Sequence, residues 1–252
     1  MPRAADSVGV HRPVRSLGHW LLLHTLTAAV LAGAAEIQLS PAIQTGWAEA
    51  IAGALSAAAH GDTTVAVFAP GRYTGCIPDG LVVSSDLVLR GSGGASATTV
   101  DCSGSGRHLN VSSGASLTVE GLTLTGGTAA DERHTDGGCI LIEGLGTAVT
   151  VRQSVLTGCR AGESGGAIAL GGGALSVVDS NLTGNIAMEG GGISASAGSE
   201  VQIRNAIFEG NVALLGGGGV YLSGCSVLVD RCVFENNNAR LLGGGAVLSG
   251  MR

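Results

Sequence analysis

The sequence predicts an all-β solenoid, in which short parallel strands are stacked coil upon coil. One observation is that 44 of the 252 residues are Gly, without the every-third-residue period of collagen. Another is an eleven-residue segment that recurs 32, 26, 26 and 26 residues apart, as "LTVEGLTLTGG", "VTVRQSVLTGC", "LSVVDSNLTGN", "VQIRNAIFEGN" and "VLVDRCVFENN" from Leu117, Val149, Leu175, Val201 and Val227. A third is a Gly-Gly element that alternates with these segments, as "GGCI", "GGAI", "GGGI", "GGGV" and "GGAV".

The recurring segments have the alternation of strands with one buried face. Positions 1, 3 and 8 are nearly always aliphatic or Phe, as in Val201, Ile203 and Phe208, whereas position 4 is charged in four of the five segments. Strands this short cannot bury an apolar face alone, so we expect each coil to cover the last at about 4.8 Å per rung.

The corners between strands have their own residues. Gly-Gly supplies backbone with positive φ without a Cβ clash. Asn185, Asn211 and Asn237 lie one period apart and are expected to form a hydrogen-bonded amide ladder at a second corner.

Two features of the repeats resemble a known family. The pairing of "GGAI" at 165–168 with Phe-x-x-Asn at 208–211 and 234–237 resembles the repeat pair of the chlamydial polymorphic outer membrane proteins, which are secreted right-handed parallel β-helices and act as adhesins. More broadly, residues 45–252 resemble the pectin-lyase-like β-helix superfamily. The resemblance implies a single-stranded right-handed parallel β-helix over residues 61–252.

Residues 48–75 are similar to the usual opening of that superfamily, in which a short amphipathic helix caps the solenoid. We expect the N-terminal capping helix within residues 42–60, with Ile51, Leu55 and Ala58 facing the first coil and Gly61-Asp62 ending the helix. The last "GGGAVLSG" corner has no visible cap, so we expect an open edge there, as in a fragment, through which chains would self-associate.

The N-terminus has the pattern of a secretion signal. Arg3, Arg12 and Arg15 precede an apolar run, Trp20–Ala35, that ends in a small-x-small pattern. We expect residues 1–35 to be a signal peptide cleaved after Ala34, which predicts an extracellular, cell-surface or cell-wall location without a membrane span in the mature chain. An uncleaved anchor or an organelle-targeting segment is the alternative.

Six cysteines fit an oxidising compartment, and no C-x-x-C pair points to zinc. Six cysteines allow fifteen pairings, which the sequence leaves open. Cys76 and Cys102 are 26 residues apart and would bridge adjacent coils, whereas Cys159 replaces Asn in the ladder and is expected to be a buried free thiol. Asn110 and Asn181 begin N-x-Ser/Thr sequons and are candidate glycosylation sites.

The charge pattern excludes a nucleic-acid groove. All 13 basic residues are Arg, the formal net charge is −6, and the Arg residues form no basic stripe.

One coil is six residues longer than the others. Its insertion, "TAADERHTDGG", holds the densest charge in the chain: Asp131, Glu132, Arg133, His134 and Asp136. Such residues bind calcium or perform acid–base chemistry in some sites, but a solvated loop tip is the favoured interpretation. We expect no metal or other cofactor apart from this weak calcium hypothesis.

The segment "HTDG" resembles the Asn-Thr-Asp-Gly motif of polygalacturonases, which implies a catalytic carboxylate at Asp136 with His134 in place of Asn. The family's Asp-Asp pair, Gly-His-Gly and Arg-x-Lys elements are absent from the sequence, which argues against inverting hydrolysis. Pectate lyases need stacked aspartates, but Asp179 and Asp230 occupy different positions in their segments.

The outward column Glu120, Arg152, Val178, Arg204, Asp230 either binds an acidic glycan or is a cross-rung charge pattern. With Arg133, the arginines at 152 and 204 are the candidate ligand-binding residues. We expect an adhesin-like or glycan-binding scaffold without catalysis, whose partner is a polysaccharide or a cell-surface glycan or protein. The alternatives are a polysaccharide lyase or glycoside hydrolase with degenerate or missing catalytic coils, and a structural wall component.

Overall fold

Parallel strands stack in register along the chain in the computed structural model, which describes residues 28–31, 34–41, 46–58, 61–129 and 135–251. The predicted repeat is the structural repeat: Leu117, Val149, Leu175, Val201 and Val227 are partners on successive strands. The sequence-based prediction of an all-β parallel solenoid is therefore confirmed.

The described chain contains one helix, α1 (Trp47–Ala57), and 28 strands. In chain order, the strands are β1 (Ala28–Leu31), β2 (Ala34–Leu39), β3 (Thr63–Phe68), β4 (Gly71–Thr74), β5 (Leu81–Val83), β6 (Leu87–Gly91), β7 (Thr98–Asp101), β8 (Leu109–Val111), β9 (Ser116–Glu120), β10 (Thr123–Thr125), β11 (Thr128–Ala129), β12 (Ile140–Glu143), β13 (Ala148–Arg152), β14 (Val155–Thr157), β15 (Arg160–Ala161), β16 (Ile168–Gly171), β17 (Gly173–Val178), β18 (Asn181–Thr183), β19 (Ile186–Glu189), β20 (Ile193–Ala195), β21 (Ser199–Arg204), β22 (Ile207–Glu209), β23 (Val212–Gly216), β24 (Val220–Ser223), β25 (Ser226–Asp230), β26 (Val233–Glu235), β27 (Asn238–Ala239) and β28 (Ala246–Ser249).

Four sheets form the sides of the solenoid. Sheet A has the order β1-β2-β3-β6-β9-β13-β17-β21-β25, sheet B β26-β22-β18-β14-β10-β7-β4, sheet C β28-β24-β20-β16-β12-β8-β5 and sheet D β11-β15-β19-β23-β27. All pairings are parallel except the β1–β2 pair, which is antiparallel. The eleven-residue segments supply sheets A and B, and the Gly-Gly elements lead into sheet C.

The interior is filled by the alternating apolar positions. Val201, Ile203 and Phe208 are fully buried in one coil, and the stacked rings of Phe208 and Phe234 have centroids 4.8 Å apart. Each apolar side chain therefore contacts its counterparts one coil above and below, which is the burial that the period predicted.

Glycine at the sheet C corner is required by both backbone angle and space. Gly165 has φ 66°, and a Cβ at that position would lie 2.1 Å from the carbonyl oxygen of Ile168. The corner between sheets A and B instead places Gln153, Asp179, Asn205 and Arg231 at φ near 50°.

Helix α1 packs on the first coils and is shorter than the predicted range of 42–60, of which residues 42–45 and 59–60 lie outside the described residues. Its buried side chains are Trp47, Ala48 and Ile51, with Leu55 partly buried against the same core. Trp47 contacts Phe68 with ring centroids 6.1 Å apart. The expected apolar face thus begins one turn earlier than Ile51.

Most of the predicted signal peptide, residues 1–27 and 32–33, lies outside the described residues. Within the described part of the chain, no helix has the length and apolar character needed to cross a bilayer.

Two disulfides join neighbouring corners. Cys76 and Cys102 are bonded across 26 residues, as their spacing suggested. The expectation that Cys159 is a free thiol is wrong, because Cys159 is bonded to Cys139, 20 residues earlier. The winding of one coil brings its Gly-Gly corner close to its asparagine-ladder corner. The 20-residue spacing of the two cysteines differs from the repeat period, so the sequence did not indicate this pairing. Cys225 and Cys232 are the free cysteines of the described chain.

The final described coil has open edges in all four sheets, because β25, β26, β27 and β28 are each the last strand of their sheet. Val229 and Leu248 are 38% and 52% exposed there, whereas their counterparts Ile203 and Leu222 are fully buried one coil earlier.

Candidate functional site

The insertion of the longer coil is bonded to the neighbouring coils at the C-terminal end of the insertion. Asp136 accepts the backbone N–H of Ser164 at Oδ1 (2.8 Å), and its carbonyl oxygen accepts a hydrogen bond from the buried Arg107 (2.7 Å). The carboxylate of Asp136 therefore serves a backbone contact between coils. The other predicted residues of this insertion, Asp131, Glu132, Arg133 and His134, lie outside the described residues.

A surface pocket of about 250 Å³ lies on the following coils, next to the C-terminal end of the insertion. It is lined by Glu163, Ser164, Met188, Glu189 and Leu215. The backbone N–H of Glu163 donates to the carbonyl of Thr135, so the pocket borders the end of the insertion. Two carboxylates and two apolar side chains give it an acidic, partly apolar lining.

The outward charges of sheet A form the column predicted from the segments, extended by one rung to Arg90. Glu120 Oε2 accepts from Arg90 Nε at 2.9 Å and from Arg152 at 3.0 Å. The hydrogen bond from Arg90 is the main cause that lowers the pKa of Glu120, and the charge of Arg152 adds to it. Glu120 thus remains ionised between two cations, which leaves the trio with one net positive charge.

Arg204 extends the same face of sheet A and forms no ion pair with any described residue. It is exposed and lies between Val178 and Asp230 in the register, while Asp230 is paired with the adjacent Arg231 at 3.1 Å. Asp179 accepts from Asn205 at the corner between sheets A and B. Asp179 and Asp230 are therefore engaged with different partners, and the structure does not bring them together as a calcium-binding pair.

Val178 stands between Arg152 and Arg204 in the register of this face, and a groove lies beside this column. A shallow groove of about 150 Å³ is lined by Ala148, Val149, Thr150, Ala174, Leu175, Ser176, Glu200 and Gln202. The groove lies over the outward positions of β13, β17 and β21 that precede the column Arg152–Val178–Arg204, and Glu200 contributes one carboxylate to its lining. We call this surface the sheet A groove.

Two other sets of predicted residues are a structural ladder and a pair of half-buried sequon positions. Asn185, Asn211 and Asn237 stack as an amide ladder inside the second corner. The sequon residues Asn110 and Asn181 lie at half-buried outward positions of β8 and β18.

Sequence reasoning missed Arg90 and His108. Arg90 is the fourth residue of "LVLRG", a segment with the same alternation as the repeats, so alignment of one earlier coil would have found it. The repeat gives no indication of His108, because later coils have Cys139 and Ala167 at the corresponding position instead of a histidine.

Comparisons with known proteins found two similar solved structures and one matching family. Two solved structures of the PL6-family alginate lyase AlyGC, one of them an arginine variant, are similar to this chain at 13% and 14% identity, both with a TM-score of 0.47. Each match covers 89% of this chain and 40% of that chain. No curated protein matches. The family described as "Right handed beta helix region" matches residues 85–251, and the chain therefore belongs to the right-handed β-helix family.

Proposed function

We propose that this protein is a non-catalytic scaffold that binds a carboxylated polysaccharide along the sheet A groove. The observation that carries the proposal is the pair of exposed arginines, Arg152 and Arg204, at the C-terminal ends of β13 and β21, whose preceding outward positions line the groove. Arginine binds carboxylates through paired N–H donors, and the two side chains stand two rungs apart, about 10 Å.

The open surface suits a long polymer. An open parallel sheet lets a linear chain lie across several rungs, and Thr150, Ser176 and Gln202 offer hydroxyl and amide groups in the column next to the arginines. The extra positive charge of the Arg90–Glu120–Arg152 trio favours an acidic ligand despite the net charge of −6.

Binding is favoured over catalysis because of how Asp136 is used. A glycosidase needs two carboxyl groups facing the scissile bond, and the Asp136 carboxylate accepts a backbone hydrogen bond from the next coil. An adhesin-like or wall-associated role outside the cell fits a scaffold of this kind.

Affinity electrophoresis through gels containing polygalacturonate, alginate or neutral dextran tests the proposal. We expect retardation by the acidic polymers alone, weaker at high salt, and a loss of affinity of about tenfold in Arg152→Gln and in Arg204→Gln. Arg160→Gln is the matched control, because Arg160 is exposed on sheet D. Equal retardation of all three variants would contradict the assignment of the groove.

The same polymers distinguish an enzyme. Unsaturated or reducing ends should not accumulate with the wild-type chain. If such ends accumulate and disappear in Asp136→Asn or His134→Ala, the lyase or hydrolase alternative replaces the scaffold.

A further inference from the structure

The coil that carries β19 is one residue shorter, between sheets D and C, than the coils on either side of it. Register partners mark the start and the end of this stretch: Arg160, Ile186 and Val212 at the start, and Ser164, Glu189 and Gly216 at the end. Between these rungs lie three residues in the preceding coil, two in this coil and three in the following coil. The shorter backbone leaves space between its longer neighbours, and the surface pocket of about 250 Å³ lies there.

Backbone hydrogen bonds fix the shape of this pocket. The N–H groups of Met188 and Glu189 both donate to the carbonyl oxygen of Glu163, each at 2.9 Å. The carbonyl oxygen of Glu189 in turn accepts the N–H of Gly165 at 2.9 Å. Because bonded backbone forms its walls, the pocket exists before a ligand arrives, and binding does not have to order it.

The lining combines negative charge with apolar surface. The side chains of Glu163 and Glu189 form no ion pair or hydrogen bond with the part of the chain that the structure describes. Beside them, Met188 is 36% exposed and Leu215 is half-buried. The pocket therefore offers two uncompensated carboxylates next to aliphatic and thioether groups, which suits a ligand that is both cationic and apolar.

Exposed leucines continue the apolar surface beyond the pocket. Leu214 precedes the lining residue Leu215 and is 51% exposed. In the next coil, Leu241 is 67% exposed, and its N–H donates to the carbonyl oxygen of Leu215 at 3.2 Å. Neighbouring exposed side chains of this size mark a site of interaction more often than scattered single ones do.

We propose that this pocket and the adjoining leucines bind a basic, aliphatic peptide segment of a partner protein, with one Lys or Arg side chain in the pocket. The apolar stem of such a side chain would pack on Met188 and Leu215, and its cationic head would reach the carboxylates of Glu163 and Glu189. Aliphatic side chains next to it in the peptide would pack on the exposed leucines. An acidic polysaccharide would be repelled here, and the pocket lies by sheet D, so the proposal does not depend on the sheet A groove.

The experiment measures binding of the full chain to the labelled peptide Ser-Gly-Leu-Lys-Leu-Gly-Ser by fluorescence anisotropy. We expect binding that weakens at high salt and becomes at least tenfold weaker when the lysine is acetylated. The double variant Glu163→Gln with Glu189→Gln should also bind at least tenfold more weakly. The matched control is Glu209→Gln with Glu235→Gln, which removes the same charge from exposed positions on sheet B and should bind like the parent.

Two further measurements locate the peptide. Carbodiimide coupling should join the lysine amine to Glu163 or Glu189, mapped by peptide mass. Leu214→Ser should weaken binding about threefold, because an aliphatic contact is lost. Circular dichroism of every variant should stay that of the parent, since the substituted side chains are exposed or half-buried.

Three results would overturn the proposal. Equal weakening in both double variants would show attraction by net charge alone, and coupling outside Glu163 and Glu189 would place the peptide elsewhere. Binding that appears only in Arg133→Gln would show that the insertion of this chain, and not a partner, occupies the pocket.

Discussion

The side-chain amide of Asn185 donates to Oδ1 of Asn211 over 2.9 Å, one 26-residue period further along the chain, and Asn211 repeats the contact with Asn237 at 2.9 Å. Oδ1 of Asn211 also accepts the backbone N–H of Asn185, and its Nδ2 donates to the carbonyl of Leu182. The amide of Asn211 is therefore fully satisfied inside an otherwise apolar interior, which explains why an amide recurs at each turn.

Asn211→Ala should lower the free energy of unfolding by about 2–4 kcal/mol, because it leaves the Asn185 N–H and the Leu182 carbonyl buried without partners. Asn238→Ala is the matched control, since Asn238 is exposed in the last described coil and should cost less than about 0.5 kcal/mol. Guanidinium denaturation followed by circular dichroism measures both. Similar midpoints for the two variants would rule out the energetic role of the ladder.

Ile193→Asp should prevent folding. Ile193 is fully buried between Ile168 and Val220 of the neighbouring coils, so the variant would bury an unpaired charge. Ser196→Asp changes an exposed residue just after the same strand and should be nearly neutral. Soluble expression and thermal unfolding of the two variants test the register, and equal stability would contradict it.

Acid should destabilise the protein through His108. Burial lowers the pKa of His108 from 6.5 to about 4, with hydrogen bonding to Val100 and the charge of Asp101 acting in the opposite direction. Because the unfolded chain takes up a proton at pH 6.5 and the folded chain does not, stability falls as the pH drops from 6.5 to 4, by about 3 kcal/mol in total.

The pH dependence is measured as the free energy of unfolding at several pH values between 7 and 4 for the parent chain and for His108→Asn. The variant should lose most of the slope in this window, although its stability at pH 7 is lower or unchanged. A parallel slope in both proteins would show that other groups cause the acid sensitivity.

The Cys139–Cys159 bond closes a 20-residue loop, and its removal by Cys139→Ala with Cys159→Ala should cost about 3 kcal/mol. Cys139→Ala with Cys159→Asn should cost less, since an amide at 159 would be in register to donate to Asn185 Oδ1, which already accepts the Cys159 backbone N–H. Denaturation midpoints of the two double variants are the test. The hypothesis of ladder extension fails if the alanine form is as stable as the asparagine form.

Asn236→Gly should stabilise the protein by about 1 kcal/mol. Asn236 has φ 53°, and Gly126, Gly158, Gly184 and Gly210 hold the same corner in earlier coils. Asn238→Gly is the opposing control, because Asn238 lies in strand β27, where glycine only adds entropy to the unfolded chain. Thermal unfolding should move the two midpoints in opposite directions.

By itself, the sequence determined the period, the buried face and the corner glycines, because stacking of identical coils repeats the same local requirement every 26 residues. Val201, Ile203 and Asn211 could therefore be assigned to the interior before any coordinates were known. The Cys76–Cys102 bond belongs to this class, since its spacing equals the period.

Tertiary structure decided what the repeat does not encode. The winding of one coil joined Cys139 to Cys159, and the stacking of unlike coils enclosed His108 beside the Cys76–Cys102 sulfur atoms. Asp136, for which the "HTDG" segment suggested a catalytic role beside the favoured solvated loop, has its carboxylate on the backbone N–H of Ser164. These contacts join residues at corners and in coils of unequal length. Which residues meet there depends on how the coil winds and on how long its insertion is, so their spacing in the sequence does not predict the contact.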